Sequence, residues 1–379
     1  MKIGVVCYPT YGGSGVVATE LGKALAARGH QIHFITYNRP IRLSLFSENI
    51  FYHQVQTKDY PLFEFIPYES ALASTMVDVA RYHNLDLFHV HYAIPHASVA
   101  YLAKQILKEY DIEIPVVTTL HGTDITLVGK NQAYEPVVSF SVDQSEGVTA
   151  VSKFLKAATY ENFTVQNDIK VIYNFIDTER FQRSNKDHFR KMVTPQDERI
   201  LIHTSNFRKV KRVLDVMKVF EKVRQHVPSK LLMVGDGPDR AKAEEYCREK
   251  GFCKDVSFLG SQNSVEEIYS IGDLFLLPSE SESFGLAALE AMACKVPVLS
   301  SNTGGLPELV IDGVTGFTSP VGDVDHMAEK AIYILQSQDR WEEFSENAHR
   351  HAQGFALEEI VPQYEQFYQE ITGALSSVS

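Results

Sequence analysis

Met1-Lys-Ile-Gly-Val-Val-Cys7, three further residues, then Tyr11-Gly-Gly-Ser-Gly15-Val-Val-Ala18 reads as an apolar strand, a glycine turn and the start of a helix. The same unit recurs along the chain. Apolar strands are expected at 2–7, 31–36, 87–91, 116–120, 147–151 and 169–174, with amphipathic helical stretches between them. A second set begins at 199–203 and continues through 230–234, 256–259, 274–277 and 297–300. This alternation predicts an α/β protein whose parallel sheets are covered by helices on both faces. Two sets predict two Rossmann-like, doubly wound domains, 1–174 and 175–356, with 175–181 as the crossing linker. The last stretch, 357–379, is amphipathic and carries Tyr364, Phe367 and Tyr368, so it is expected to pack back onto the first domain. Ligands in such sheets bind at the carboxyl ends of the strands. Two such domains facing each other would enclose an interdomain cleft.

Composition narrows the classes. The 379 residues suffice for two ordinary domains, and 44% hydrophobic with 22% charged residues is a globular balance. A net charge of −12 argues against nonspecific binding to nucleic acid or an anionic membrane. No apolar run approaches the ~20 residues of a membrane span, and the chain opens directly on strand residues, so no secretory leader is expected. Cys7, Cys247, Cys253 and Cys294 form no CxxC pair and no zinc-ligand spacing. Free thiols in a reducing cytoplasm are therefore expected.

The chemistry concentrates in Glu282-Ser-Phe-Gly-Leu-Ala-Ala-Leu-Glu290. Its second carboxylate sits in an apolar run, where desolvation is costly without a polar partner. Ser283-Phe284-Gly285 reads as a turn into a helix, whose first backbone N–H groups lack intrahelical acceptors. Amides beside carboxylates suit a ligand with anionic and hydroxylated parts, such as a nucleotide sugar. Read as one helix, the eight steps from Glu282 to Glu290 would rise roughly 12 Å. Glycoside hydrolases hold their carboxyl pair about 5–5.5 Å or about 6.5–9.5 Å apart, so the spacing favours two clamps on one extended ligand. A helix cap and a salt-bridged Glu290 are the simpler alternative.

Other motifs add to this. Gly13-x-Gly15-x-x-Ala18 formally meets the dinucleotide fingerprint, but the second strand ends Phe34-Ile-Thr-Tyr-Asn38 without the acidic residue that would hold a ribose. A glycine turn bringing Gly13, Ser14 and Gly15 close to a phosphate or sugar fits better. Ser205-Asn-Phe-Arg-Lys-Val-Lys-Arg212 places four cations in five residues at a strand end, a candidate diphosphate site through Lys211 and Arg208. No P-loop signature is present. His89 and His91 share a strand face, and with His96 they lack a carboxylate or cysteine set, so a hydrogen-bonded structural role is expected in place of a metal. His121 follows a strand end and precedes Gly122, where its ring can face a ligand.

Together the glycine turn at 12–15, His121, Lys211, Val234-Gly-Asp-Gly-Pro238, Glu282 to Glu290 and Thr303-Gly-Gly-Leu-Pro-Glu308 resemble the retaining GT-B glycosyltransferases, the family that includes sucrose synthase and the mycothiol and phosphatidylinositol glycosyltransferases. The resemblance covers nearly the whole chain. His89-Val-His-Tyr-Ala-Ile-Pro-His96, Leu120-His-Gly-Thr-Asp-Ile-Thr126 and 205–212 are most similar to members that transfer N-acetylglucosamine to L-malate in bacillithiol biosynthesis.

The resemblance implies a UDP-N-acetylglucosamine donor, L-malate as acceptor, and no metal or other cofactor. It assigns Glu290 to the ribose, Glu282 to the sugar hydroxyls, and the Gly285 and Leu286 amides with Lys211 and Arg208 to the diphosphate. Gly13, Ser14, Gly15, Asn206 and Phe284 complete the donor contacts. Where the family usually carries Gly-Arg this chain has Ser205-Asn206, and Arg208 is the candidate replacement. Ser14, Tyr92, Thr119, His121 and Asn174 are implied on the acceptor side. Lys211, Arg208, Glu282 and His121 are the candidate catalytic residues. The reading is compatible with a homo-oligomer. Alternatives left open are the same fold with a sugar-phosphate, lipid or glycan acceptor, a UDP-sugar epimerase, and a module that binds a nucleotide sugar without turning it over.

Overall fold

Strand β1 (Lys2–Val6) lies at the centre of the first sheet because Ile3, Val5 and Val6 are apolar on both sides of the pleat and all are buried. The structure, a computed structural model, describes residues 1–10, 12–43, 47–57, 67–127, 131 and 133–376. Tyr11 of the glycine turn and residues 377–379 of the C-terminal stretch lie outside the described residues.

Helix α1 (Gly13–Ala27) follows, then β2 (Gln31–Thr36), β3 (Ile50–Gln54), α2 (Tyr68–His83), β4 (Leu87–His91), β5 (Val116–Leu120), β6 (Gly147–Ala150) and β7 (Ile169–Val171). These pair in parallel in the order β3-β2-β1-β4-β5-β6-β7. The order reverses direction between β1 and β4, the switch point at which such sheets bind ligands. A second sheet contains β8 (Arg199–Thr204), β9 (Ser229–Val234), β10 (Val256–Gly260), β11 (Leu274–Leu277), β12 (Val298–Ser301) and β13 (Gly316–Ser319). Its order is β10-β9-β8-β11-β12-β13, again parallel, with the switch between β8 and β11. The expected α/β class with two doubly wound parallel sheets is what the chain forms.

Two edge strands, β3 and β13, have no counterpart among the expected strands. Each has a physical excuse. The β3 sequence Ile-Phe-Tyr-His-Gln has no buried residue, and the β13 sequence Gly-Phe-Thr-Ser is short and half polar. An edge strand covered on one side does not need the continuous apolar run that marks the central ones.

Contacts divide the chain into one unit of Met1–Asn174 with Glu358–Ser379, and another of Phe175–Leu357. In the first, Met76, Phe88 and Val90 pack among the core residues between α2 and the sheet. The helix Leu357–Ser376 returns to this unit. Gly147 makes its approach possible, since a Cβ there would stand 2.8 Å from Phe367 Cζ. Its own Tyr364 and Tyr368 are buried against this unit, and Glu365 takes hydrogen bonds from Arg28 and His30. In the second unit Phe220, Leu231, Met233 and Leu276 centre the core.

The cysteine expectation needs correction. Cys247 and Cys253 form a disulfide, while Cys7 and Cys294 are free and buried. A separation of six residues matches no spacing rule. It is met here because Cys247 ends near the turn Cys253–Asp255, with the two Cα atoms 4.9 Å apart.

Candidate active site

In the second unit the carboxyl ends of β8, β9, β11 and β12 supply four loops that lock together through glycines. Gly235 and Gly237, in Val234-Gly-Asp-Gly-Pro238, lie against the loop after β8. A Cβ on Gly235 would stand 1.8 Å from the Ser205 carbonyl oxygen, and one on Gly237 2.0 Å from that of Asn206. The Asp239 amide donates to the Phe207 carbonyl at 2.9 Å. Ser205 turns back on this loop, accepting from the Phe207 amide at 3.2 Å and lying 2.8 Å from His203 Nε2. The loop's shape is thereby fixed, and its cations are carried on a rigid turn.

Lys211 ends that turn. Its ammonium donates to Glu282 Oε1 at 2.5 Å, and the same oxygen accepts from Ser279 Oγ at 2.8 Å. Both partners are largely buried, with 20% and 14% of their side chains exposed. The backbone reinforces the pairing, since the Glu280 amide donates to the Val210 carbonyl at 2.7 Å. Gly304 and Gly305 hold the other side. The Gly305 amide donates to the Glu282 carbonyl at 2.9 Å, and a Cβ on Gly304 would meet that oxygen at 1.9 Å. Thr303-Gly-Gly-Leu-Pro-Glu308 thus seats the Glu282 turn.

The helix after this turn runs Leu286–Ala293, entered through Gly285 at φ 102°. Glu282 lies ahead of it, so the 12 Å helical rise expected between Glu282 and Glu290 does not apply; only the half from Leu286 onward is helical. Ala288 and Leu289 donate to the Gly285 carbonyl, which leaves the Gly285 and Leu286 amides ahead of the first intrahelical bonds. Glu290 is buried and accepts from Tyr269 Oη at 3.5 Å. The Phe284 ring is also buried, 5.7 Å from that of Phe355. Arg208 and Asn206 are exposed on the loop, whereas Arg212 is engaged by Asp215 at 2.5 Å. Lys211 and Glu282 are brought together, and Gly285 and Leu286 follow Glu282 at the end of the same turn. Ser279 and Tyr269 had no signal in the sequence, lying in stretches without a motif.

In the first unit the carboxyl ends of β1, β4 and β5 carry a second group. Gly15 lets α1 start hard against the strand end, since a Cβ there would meet the Tyr8 and Thr10 carbonyl oxygens at 2.5 and 2.6 Å. Ser14, in the first turn of α1, accepts from Tyr92 Oη at 2.7 Å. Tyr92 holds φ 89°, a conformation that costs a bulky residue energy and marks an overdetermined position. Buried Asp124 does the determining: it accepts from the Ala93 amide at 2.9 Å and the Gly122 amide at 3.0 Å. Burial pushes its pKa up to about 6, against the pull of those amides.

His121 Nε2 lies 2.8 Å from His91 Nδ1. His89 bridges Thr119 Oγ1 at 2.7 Å and Tyr368 Oη at 2.8 Å. Thr119 is fully buried and also bonds Thr149 Oγ1, so its hydroxyl orients His89 and is not presented at a surface. Asn174 is buried and its Oδ1 has no hydrogen-bond partner among the described residues. The hydrogen-bonded role expected for His89, His91 and His96 is what their contacts show, His96 Nδ1 standing 2.6 Å from the His91 carbonyl.

Burial lowers the pKa of His89 and His121 to about 3 and of His96 and His203 to about 4. These rings are neutral at pH 7, and the unfolded chain binds more protons than the folded one below about 6.5. Stability is therefore full above that pH and falls as the pH drops toward 4, by about 1.4 kcal/mol per pH unit for each such proton. Asp124 has the opposite sign between about 4 and 6, but it is one group against four. Thermal unfolding followed from pH 7 to pH 4 is expected to show Tm falling throughout; a flat profile would refute neutral burial of these histidines.

Residues 184–351 match the family described as Glycosyl transferases group 1, and 11–180 match Glycosyltransferase Family 4. The N-acetyl-alpha-D-glucosaminyl L-malate synthase of Bacillus anthracis is 46% identical over 98% of this chain and 97% of its own length. The chain belongs to this glycosyltransferase family. An uncharacterized Methanocaldococcus jannaschii glycosyltransferase is 26% identical over 97% of both chains. Among solved structures, the Thermosynechococcus elongatus sucrose-phosphate synthase matches this glycosyltransferase with a TM-score of 0.82 at 20% identity, covering 99% and 100% of the two chains. The Anabaena HepE structure with UDP and glucose also gives 0.82, at 21% identity over 98% and 100%. These likenesses establish the GT-B fold for this glycosyltransferase. No helix among its described residues is long and apolar enough to cross a membrane.

Proposed function

We propose that this glycosyltransferase moves N-acetylglucosamine from UDP-N-acetylglucosamine to L-malate with retention, releasing UDP, as the first step of bacillithiol biosynthesis. The observation that carries the donor half is the Lys211–Glu282 pair in front of the Gly285 and Leu286 amides. A cation and two amides suit a departing diphosphate, and a carboxylate beside them suits sugar hydroxyls. Glu282 Oε1 stands where a phosphate oxygen would otherwise meet Lys211, so the ammonium is already oriented. When the donor binds, Lys211 turns to the diphosphate and Glu282 accepts from the sugar. Glu290 takes the ribose, held by Tyr269, and Arg208 supplies the second cation at the loop where Asn206 stands. The acceptor half rests on the 46% identity to the malate synthase, with Ser14, Tyr92, His121 and Asn174 as its polar contacts and Thr119 acting through His89.

In the transition state the anomeric carbon becomes oxocarbenium-like while negative charge grows on the leaving diphosphate. Preorganised donors at that charge lower the barrier most. The malate hydroxyl attacks from the face the diphosphate leaves, and its proton passes to the departing phosphate oxygen. The anomeric bond to UDP breaks as the bond to malate forms, so configuration is kept. Lys211 and the amides carry the neutralisation, and no step calls on a metal.

UDP release and product mass, followed with UDP-N-acetylglucosamine in a chelating buffer with and without L-malate, test this reading. Malate-dependent UDP release with an N-acetylglucosaminyl-malate product is expected. Malate-independent release would point to a hydrolase, and a UDP-sugar isomer of unchanged mass without net UDP release to an epimerase. No release under either condition, with UDP still bound, would leave only a binding module.

A further inference from the structure

Away from these loops, three histidines from three different elements meet on one side of the first sheet. The parallel register pairs His33 with Phe51 and Ile35 with His53. Because side chains alternate along a strand, His33 on β2 and His53 on β3 project from the same face. The third, His83, is the last residue of α2, which covers that face. Its carbonyl accepts from Lys2 Nζ at 3.0 Å, and Lys2 opens β1. Lys2 and His83 mark the amino edge of the sheet, while His33 is mid-strand in β2 and His53 next to last in β3; Ser14, Tyr92 and His121 belong to the separate group past the carboxyl ends of β1, β4 and β5.

We propose that His33, His53 and His83 bind one divalent transition-metal ion of the zinc class, with a further coordination position open to solvent. Each ring offers one nitrogen, and the three nitrogens lie within 4.8 Å of one another. Ligands at about 2.0–2.1 Å in a tetrahedral array would stand roughly 3.3 Å apart. His33 Nδ1 and His53 Nε2 are already 2.9 Å apart, so closure asks chiefly for a small movement of His83 at a helix end. His53 and His83 are half-buried and leave a side for a water or another ligand.

The electrostatics select the metal. Among the described residues no carboxylate belongs to the set, and the Lys2 ammonium beside it opposes any cation held by charge alone. Magnesium and calcium, which want several oxygen ligands, are therefore excluded, whereas zinc, cobalt, nickel and copper take neutral imidazole nitrogen. Burial first, then His53, His83 and Lys2, lowers the pKa of His33 to about 4, and burial lowers that of His53 as well. Both rings are thus neutral at pH 7. The proton now shared between them moves to the far nitrogen of its own ring when the ion enters. His33 and His53 then bind without net loss of a proton from either ring.

A purely packing role explains the cluster less well. His33 is 1% exposed, its Nδ1 meets only another imidazole nitrogen, and its Nε2 is buried with no partner among the described residues, a cost that coordination through Nδ1 leaves unchanged. An apolar side chain stacked on Phe51, whose ring lies 4.7 Å from that of His33, would fill the space without that cost. Bound metal would fasten the edge strand β3 to β2 and to the end of α2.

The test uses the full-length protein, stripped by a chelator and dialysed. Zn²⁺ is titrated against a chromophoric chelator, and Co²⁺ binding is followed by its visible ligand-field bands. One equivalent of Zn²⁺, a Co²⁺ spectrum of four or five coordination, and a Zn²⁺-dependent rise in Tm are expected for the native chain. His53→Gln and His83→Gln, both at half-buried positions, are each expected to weaken binding at least tenfold, and the double variant to lose the Tm rise. Circular dichroism of the variants checks that they fold; His33 is left intact because its burial makes it the riskier change. Absence of Zn²⁺ binding by the native chain, or unchanged affinity in the double variant, would overturn the proposal.

Discussion

Lys211→Ala is expected to lower kcat for sugar transfer by about 10²–10³-fold, the loss of roughly 2.7–4 kcal/mol that follows removal of one preorganised donor from a developing anion. The ammonium sits on a turn whose shape is set by backbone bonds to Val234-Gly-Asp-Gly-Pro238 and to Glu280, so truncating the side chain leaves the scaffold in place. The pair with Glu282 is largely buried, with 20% and 14% of the two side chains exposed, and its contribution to stability is expected to be about 1–2 kcal/mol. Ser279 still donates to Glu282 in the variant. The kinetic loss should therefore appear without a comparable fall in Tm. Because the negative charge of the leaving group is largest in the transition state, kcat should fall further than KM for the donor rises. Lys211→Arg should recover only part of the rate, since a planar fork does not reproduce a point charge at 2.5 Å from Glu282. Steady-state kinetics on the two variants decide the matter. Near-native kcat in Lys211→Ala would take Lys211 out of the leaving-group site.

What could be read from the residues follows from where physics is local. Central strands such as β1, β4 and β11 are buried on both faces and announce themselves as apolar runs, whereas β3 and β13 pair at edges and do not. Gly285 could be read as a helix entry because a turn before an apolar helical run is a local signal. Glu282 could not be placed correctly by spacing alone, because the helix begins only after Gly285, whose positive φ separates it from the Glu282 turn, and no count of residues reveals a break in conformation. Thr119 illustrates a different limit. Its position at a strand end suggested a surface, but whether a hydroxyl points outward or toward Thr149 depends on strands 30 residues apart. His33, His53 and His83 come from three elements spread over fifty residues, and only the register of β2 with β3 and the end of α2 bring them together. The Cys247–Cys253 bridge likewise depends on a chain reversal that has no spacing signature.

Gly304→Ala should do nearly as much damage as the loss of Lys211, and by a different route. Gly304 holds φ 61°, which costs an alanine about 1–2 kcal/mol. The added Cβ would also stand 1.9 Å from the Glu282 carbonyl oxygen and 3.0 Å from its carbon. Both are backbone atoms, so no side chain can swing aside. The Glu282 turn must move, and its carbonyl is the acceptor of the Gly305 amide. Displacing that turn draws the carboxylate away from Lys211 and Ser279. A misplacement of 1 Å at a catalytic group can cost about 10²-fold, and that is the expected fall in kcat/KM. Gly251→Ala separates the two causes, because Gly251 also holds a positive φ of 73° but has nothing within 4 Å of its would-be Cβ. Both variants should lose Tm, whereas only Gly304→Ala should lose activity. Equal kinetics in the two would mean that the Thr303–Glu308 loop does not seat Glu282, and the glycines there would be explained by backbone conformation alone.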